Sequence, residues 1–168
     1  ETSALFQECR NRIKSMAMIH EQLYQSDDLE QIDINGYLSS ISHELARSYN
    51  AATRKIDVEV KVDSGHLGVD RAIPCGLIVN ELVSNALKHA FPEGKAGKII
   101  IRFTTTGETH RLSVEDNGIG LSKALEIEKS KTLGMKLIAT LVKKLKGQIN
   151  VLHDDGLFFE IQFPAVHP

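Results

Sequence analysis

Three clusters of residues carry types and spacings that could do chemistry. The first is Asn80-Glu81-Leu82-Val83-Ser84-Asn85-Ala86-Leu87-Lys88-His89-Ala90. Glu81 and Asn85 are four residues apart, so on a helix they share a face with Lys88 or His89. A carboxylate and an amide oxygen one turn apart suit a hard cation that takes its remaining ligands from water and phosphate. Lys88 would add positive charge beside those phosphates. The same residues also fit an ordinary solvated helix face. The second cluster is Asp116-Asn117-Gly118-Ile119-Gly120. Two glycines one residue apart allow a sharp turn and close approach to a flat ligand, and the carboxylate can accept a hydrogen bond from an amino group such as that of adenine. Read alone, it is also a common turn sequence. The third is Lys131-Thr132-Leu133-Gly134-Met135-Lys136. Thr132 can cap a helix whose open first turn and neighbouring Lys131 make an anion site, or simply an ordinary capped start.

The elements needed to position these clusters follow from hydrophobic periodicity. Leu5, Cys9, Ile13, Met16, Ile19 and Leu23 form one stripe of a first helix, which should end near Ser26-Asp27-Asp28. Asp33 or Asn35 can cap a second helix with Tyr37, Leu38, Ile41, Leu45 and Tyr49 on one face. Ile56, Val58, Val60 and Val62 alternate with polar residues, which predicts a strand with one buried face. Residues 64–68 read as a loop. Pro74 suits the first turn of the helix that carries the first cluster to about Ala90, where Phe91-Pro92-Glu93-Gly94 stops it. Strands at 98–105 and 110–115 flank Thr106-Gly107-Glu108-Thr109, a hairpin signal. A short polar stretch with Lys123, Lys129 and Lys131 leads to a helix over 133–146 ended by Gly147, and a last hairpin pairs 148–153 with 157–163. This order predicts an α+β fold: a two-layer sandwich of a mixed, mainly antiparallel sheet with helices on one face, preceded by one helix. The polar stretch between Tyr24 and Asn35 divides the chain, giving an expected boundary between residues 1–30 and residues 31–168.

Bulk properties bound the alternatives. The 168 residues suffice for a substantial core, and the formal net charge of −2 argues against a nucleic-acid partner. Cys9 and Cys75 show no metal or redox spacing and are read as inert thiols in a reducing compartment. No signal peptide or membrane-length apolar run is visible. The chain begins without Met and in helix interior, so it is read as a piece of a longer protein.

In their order and spacing, the three clusters resemble the N, G1 and G2 boxes of the Bergerat-type ATP-binding domain. Gyrase, ninety-kilodalton heat-shock chaperones, histidine kinases and MutL share that domain. The resemblance spans about residues 33–164. The string from Asn80 to Pro92, and the lead-in Arg12-Ile13-Lys14-Ser15-Met16-Ala17-Met18-Ile19-His20-Glu21-Gln22-Leu23-Tyr24, are similar to histidine kinases of the subgroup with a short lid and no phenylalanine-centred F box.

That resemblance implies ATP and Mg²⁺ as cofactors. Asn85 would hold the metal and Asp116 the adenine amine, with Gly118 and Gly120 shaping the base pocket. Lys88, His89, Lys131, Thr132, Leu133 and Gly134 would contact the nucleotide. Glu81 would orient or activate the reacting partner. It further implies transfer of the γ-phosphoryl group to a histidine, relay to a response-regulator receiver domain, a homodimer through the N-terminal helix, and a cytoplasmic location. His20 and His43 stand in acceptor-like contexts, but the acceptor is expected outside this chain, leaving the fragment unable to phosphorylate itself. A serine kinase of the anti-sigma type and a non-catalytic partner-binding module on the same fold are the alternatives.

Overall fold

The computed structural model describes Ile13, Met16, Ala17, His20, Glu21 and Leu23 and residues 31–63, 65–92, 95–120, 132–152 and 155–165. The six separate N-terminal residues are helical. The elements that follow are β1 (Ile32–Asp33), α1 (Ile34–Ser48), β2 (Ile56–Val62), β3 (His66–Leu67), α2 (Val69–His89), β4 (Gly97–Thr106), β5 (Thr109–Asp116), α3 (Leu133–Lys144), β6 (Gln148–Leu152) and β7 (Leu157–Pro164).

Five strands form one sheet in the order β2-β4-β5-β7-β6. β2 and β4 are parallel; every other pair is antiparallel. The mixed, mainly antiparallel sheet expected from the sequence is therefore present. Because successive side chains alternate, Ile99, Ile101, Phe103, Leu112, Val114, Phe159, Ile161 and Phe163 turn to one face and join the apolar faces of the helices in one core. Each such fully buried side chain contributes roughly 1.5–3 kcal/mol. The opposite face carries Asp57, Glu59, Lys61, Lys98, Arg102 and Glu115, with ion pairs such as Lys98–Glu59 at 2.6 Å.

The helices lie where the pattern placed them, with local differences. Asp33 is the N-cap of α1, its carboxylate accepting from the Asn35 and Gly36 N–H groups. Asp33 also sits in β1, because residues 66–67, expected as loop, pair with 32–33 as a two-residue ribbon. Pairs that short leave no periodicity to read. α2 starts at Val69, five residues before Pro74, so the proline lies inside the helix and not at its start. The Gly68 carbonyl accepts from both Arg71 and Ala72, and Asp70 supplies the acidic first turn, which together set the earlier start. Pro74 keeps a helical φ and removes a single N–H.

Leu23, at the end of the N-terminal stripe, is buried in the core. Ile13, ten residues earlier, is 68% exposed. The expected positions Leu5, Cys9, Ile19 and 26–28 lie outside the described residues. Cys75 is a buried free thiol whose pKa desolvation pushes up to about 12, in keeping with an inert role.

Candidate functional site

α2 carries the first cluster on its C-terminal half. Glu81 is buried, Asn85 half-buried, and Lys88 and His89 are exposed in the last turn. This stretch of the helix is braced by two contacts with Tyr49, the C-cap residue of α1. Tyr49 Oη lies 3.0 Å from Ser84 Oγ, and the Tyr49 ring lies under the Lys88 ammonium at 6.0 Å. Farther up, Gly76 faces Tyr37 and Ile41 so closely that a Cβ there would overlap the tyrosine ring.

The second cluster begins at the last residue of β5. Asp116 is on the inward face of the strand, 7% exposed, and its Oδ1 accepts from the Gly118 N–H at 2.9 Å. Desolvation raises the carboxyl pKa above its usual range. Hydrogen bonds from the Gly118 and Leu157 backbone N–H groups oppose that rise without cancelling it. Asn117 fastens the loop to β4, its Oδ1 accepting from the Lys98 N–H at 2.7 Å and its own N–H donating to the Lys98 carbonyl.

The two clusters meet at one residue. The Ile119 N–H donates to the Ala90 carbonyl at 2.9 Å, and a Cβ on Gly118 would overlap Ala90. Gly118 is thus a glycine for close approach to the end of α2. Gly120, with φ +64°, is the one that needs conformational freedom. Ile119 projects into solvent, 60% exposed.

The third cluster opens α3, which packs along α2. Thr132 is the N-cap, its Oγ1 3.4 Å from the Met135 N–H and its carbonyl accepting from the Lys136 N–H. Gly134 is buried and Leu133 is 63% exposed. Lys131 and the expected short lid, with Lys123 and Lys129, lie outside the described residues.

The fold adds residues that the sequence reading did not single out. Gly156, in the β6–β7 turn with φ +140°, abuts Asp116 so closely that a Cβ would overlap the Asp116 carbonyl oxygen. Leu157 supplies a backbone N–H to the Asp116 carboxylate. Nothing local marks either, since their role depends on β5 pairing with β7 in the register Asp116–Leu157.

The donor set suits one kind of metal. Among the described residues no group of three or more His, Cys, Asp or Glu could hold a metal ion. Asn85 and Glu81 offer hard oxygens one turn apart, so a cation there would take most of its ligands from phosphate and water, as Mg²⁺ does.

Asp116 at a strand end, held against the last turn of the helix that carries Glu81 and Asn85, is the arrangement expected of the Bergerat-type ATP-binding domain. Residues 70–167 match the family model described as histidine kinase-, DNA gyrase B- and HSP90-like ATPase, and the chain belongs to that family. Residues 1–49 match a second model, described as histidine kinase. Among curated relatives, the sensor histidine kinase PdtaS of Mycobacterium tuberculosis is 32% identical over 142 residues, covering 83% of this chain and 28% of PdtaS. The blue-light-activated histidine kinase 2 of Erythrobacter litoralis is 26% identical over 165 residues, covering 95% of this chain and 47% of that protein. The chain therefore spans less than half the length of these relatives. The solved histidine kinase domain of the Erythrobacter litoralis blue-light activated kinase EL346 superposes with a TM-score of 0.80 at 26% identity, covering 92% of this chain and 73% of that one.

Proposed function

We propose that this chain is the ATP-binding catalytic region of a sensor histidine kinase, serving transfer of the ATP γ-phosphoryl group to a histidine and relay to a response-regulator receiver domain. The observation that carries the reading is the junction at Ala90, which joins the Asp116 loop to the helix bearing Glu81, Asn85, Lys88 and His89. Asp116 accepts from the adenine amine, and Gly118 and Gly120 shape the base pocket. Asn85 holds Mg²⁺ with phosphate and water oxygens. Lys88, His89, Lys131 and the start of α3 at Thr132, Leu133 and Gly134 meet the phosphates. Glu81 orients the reacting partner. Phosphoryl transfer rests on such positioning and charge neutralisation.

The division at residue 30 belongs to the same proposal. α1 packs against α2 and β2, which supports counting it with the catalytic body, although the first family match runs to residue 49. The region before it serves a homodimer of the parent protein, and the acceptor histidine lies outside this chain. His43 is exposed on α1 and His20 on the N-terminal helix, and neither is assigned as acceptor. No helix among the described residues is long and apolar enough to cross a membrane. A kinase reading puts the domain where cytoplasmic ATP reaches it.

Calorimetric titration with a non-hydrolysable ATP analogue and Mg²⁺ tests the pocket: saturable binding that Asp116→Asn loses is expected, and a folded chain that binds nothing would overturn the reading. Labelled ATP offered to the parent protein tests the chemistry. Acid-labile phosphate is expected; acid-stable phosphate would indicate a serine kinase, and no label a partner-binding module.

A further inference from the structure

The proposed base and phosphate residues lie on elements far apart in sequence, so their relative position must be fixed by something other than chain connectivity. Arg54 is placed to do this. It stands in the turn between α1 and β2, half-buried, and its guanidinium reaches across to the end of α2. Nη1 donates to the Leu87 carbonyl at 2.6 Å and Nη2 to the Phe91 carbonyl at 2.9 Å. The Leu87 carbonyl belongs to the last turn of the helix, where carbonyls lack intrahelical donors and carry the negative end of the dipole, and the Phe91 carbonyl stands just beyond the C-cap Ala90, so a planar cation with two diverging donors can hold both. Between those two carbonyls lie only Lys88, His89 and Ala90.

The turn that carries Arg54 is itself tied down. Its own N–H donates to the Asn50 carbonyl, Ile56 to Ala51, and Gly97 at the start of β4 to the Lys55 carbonyl. From the guanidinium a continuous path of contacts then leads to the Asp116 carboxylate. It runs through the last turn of α2, the Ala90 carbonyl, the Ile119 N–H and the Gly118 N–H.

Resting on the nucleotide-binding reading above, we propose that Arg54 is a positioning residue for base recognition: it clasps the last turn of α2 and thereby sets where the Asp116 loop stands. It touches no nucleotide. A residue that merely stabilised the fold would lower melting temperature and raise amide exchange throughout. A positioning residue alters one hydrogen bond and the affinity that depends on it.

The test compares wild type, Arg54→Ala and Arg54→Lys by titration with ADP and with the non-hydrolysable ATP analogue, together with residue-resolved hydrogen exchange. Loss of a charged pair of donors should weaken both nucleotides by about tenfold in Arg54→Ala. Arg54→Lys should fall between, since an ammonium cannot span both carbonyls. The Ile119 amide should exchange faster in both variants while the Met135 amide, in the α3 cap, keeps its wild-type rate. Unchanged affinity and unchanged Ile119 exchange in the folded variants would overturn the proposal. So would a rise at Ile119 matched at Met135, which indicates general loosening. Should Arg54→Ala fail to fold, a wild-type result for Arg54→Lys overturns it equally. Wild type that binds neither nucleotide removes the pocket reading and this proposal together, and that failure is visible before any variant is compared.

Discussion

Asp116 shows most clearly how function and stability oppose each other in one side chain. Burial raises its pKa, so the fold favours the neutral acid, whereas a carboxylate is the form that accepts from an amino group. A folded pKa above the unfolded value means that folding takes up protons, and stability from this group is lost as pH rises from about 3.8 through the folded value. Ionising Asp116 therefore works against folding. Asp116→Asn keeps an oxygen to accept from Gly118 and removes the charge. Urea unfolding at pH 7 should find the variant at least as stable as wild type while nucleotide affinity falls by at least tenfold, the loss of a charge-assisted hydrogen bond. A variant that unfolds more easily would mean that the charge is held by stronger partners than the two backbone N–H groups. Gly156 is the complementary case. Placing a methyl group against the Asp116 carbonyl, at a φ that L-residues rarely adopt, should make Gly156→Ala less stable by about 2–3 kcal/mol and weaken nucleotide binding with it, both measurable on one preparation.

Elements were legible where their signal is local. The alternation in β2, the cap at Asp33 and the Thr106–Thr109 hairpin each depend on residues within one turn or one strand, and each stands as the pattern predicts. The Glu81–Asn85 spacing and the Asp116–Gly120 loop were legible for the same reason. What sequence could not supply was the junction between them at Ala90, the Gly156 contact and the Arg54 clasp, because each joins residues distant in the chain. The end of α3 illustrates the limit within a single motif. Gly147 marks the stop, as its type suggests, yet the left-handed residue is Lys146, with φ +54°. The Lys146 and Gly147 N–H groups return to the Lys143 and Val142 carbonyls, closing a Schellman turn with lysine in the position glycine usually takes. Gly147 is instead required by space, since a Cβ there would stand 2.7 Å from the Gln162 carbonyl oxygen of β7. The two positions should therefore respond in opposite senses. Lys146→Gly should stabilise by about 1 kcal/mol, the cost of a left-handed non-glycine residue, and Gly147→Ala should destabilise. Equal responses in denaturant titration would contradict the assignment.

Across the whole molecule, the sheet separates two buried ionisable groups along one strand. Asp116 ends β5 beside the proposed pocket, and His110 stands near its start, six residues away at the other edge of the core. His110 is held between Phe103 and Phe163, with ring centroids at 5.3 and 5.1 Å, and its Nδ1 lies 2.9 Å from Thr105 Oγ1. Arg71, which also donates to the Pro164 and Ala165 carbonyls, adds positive charge nearby. Desolvation first, and Arg71 second, lower the His110 pKa. The sign is opposite in consequence to that of Asp116. A histidine whose folded pKa lies below its unfolded value takes up protons on unfolding, so its contribution is complete above about 6.5 and is lost as pH falls towards the folded value. Charging this imidazole would also place a cation beside Phe103 and Phe163 in the core, away from water. The melting temperature should therefore decline as pH is lowered from about 7 to about 5, and His110→Asn, which keeps a partner for Thr105 and cannot be protonated in that range, should show a shallower decline. An identical slope for variant and wild type between pH 7 and pH 5 would assign the decline to groups other than His110.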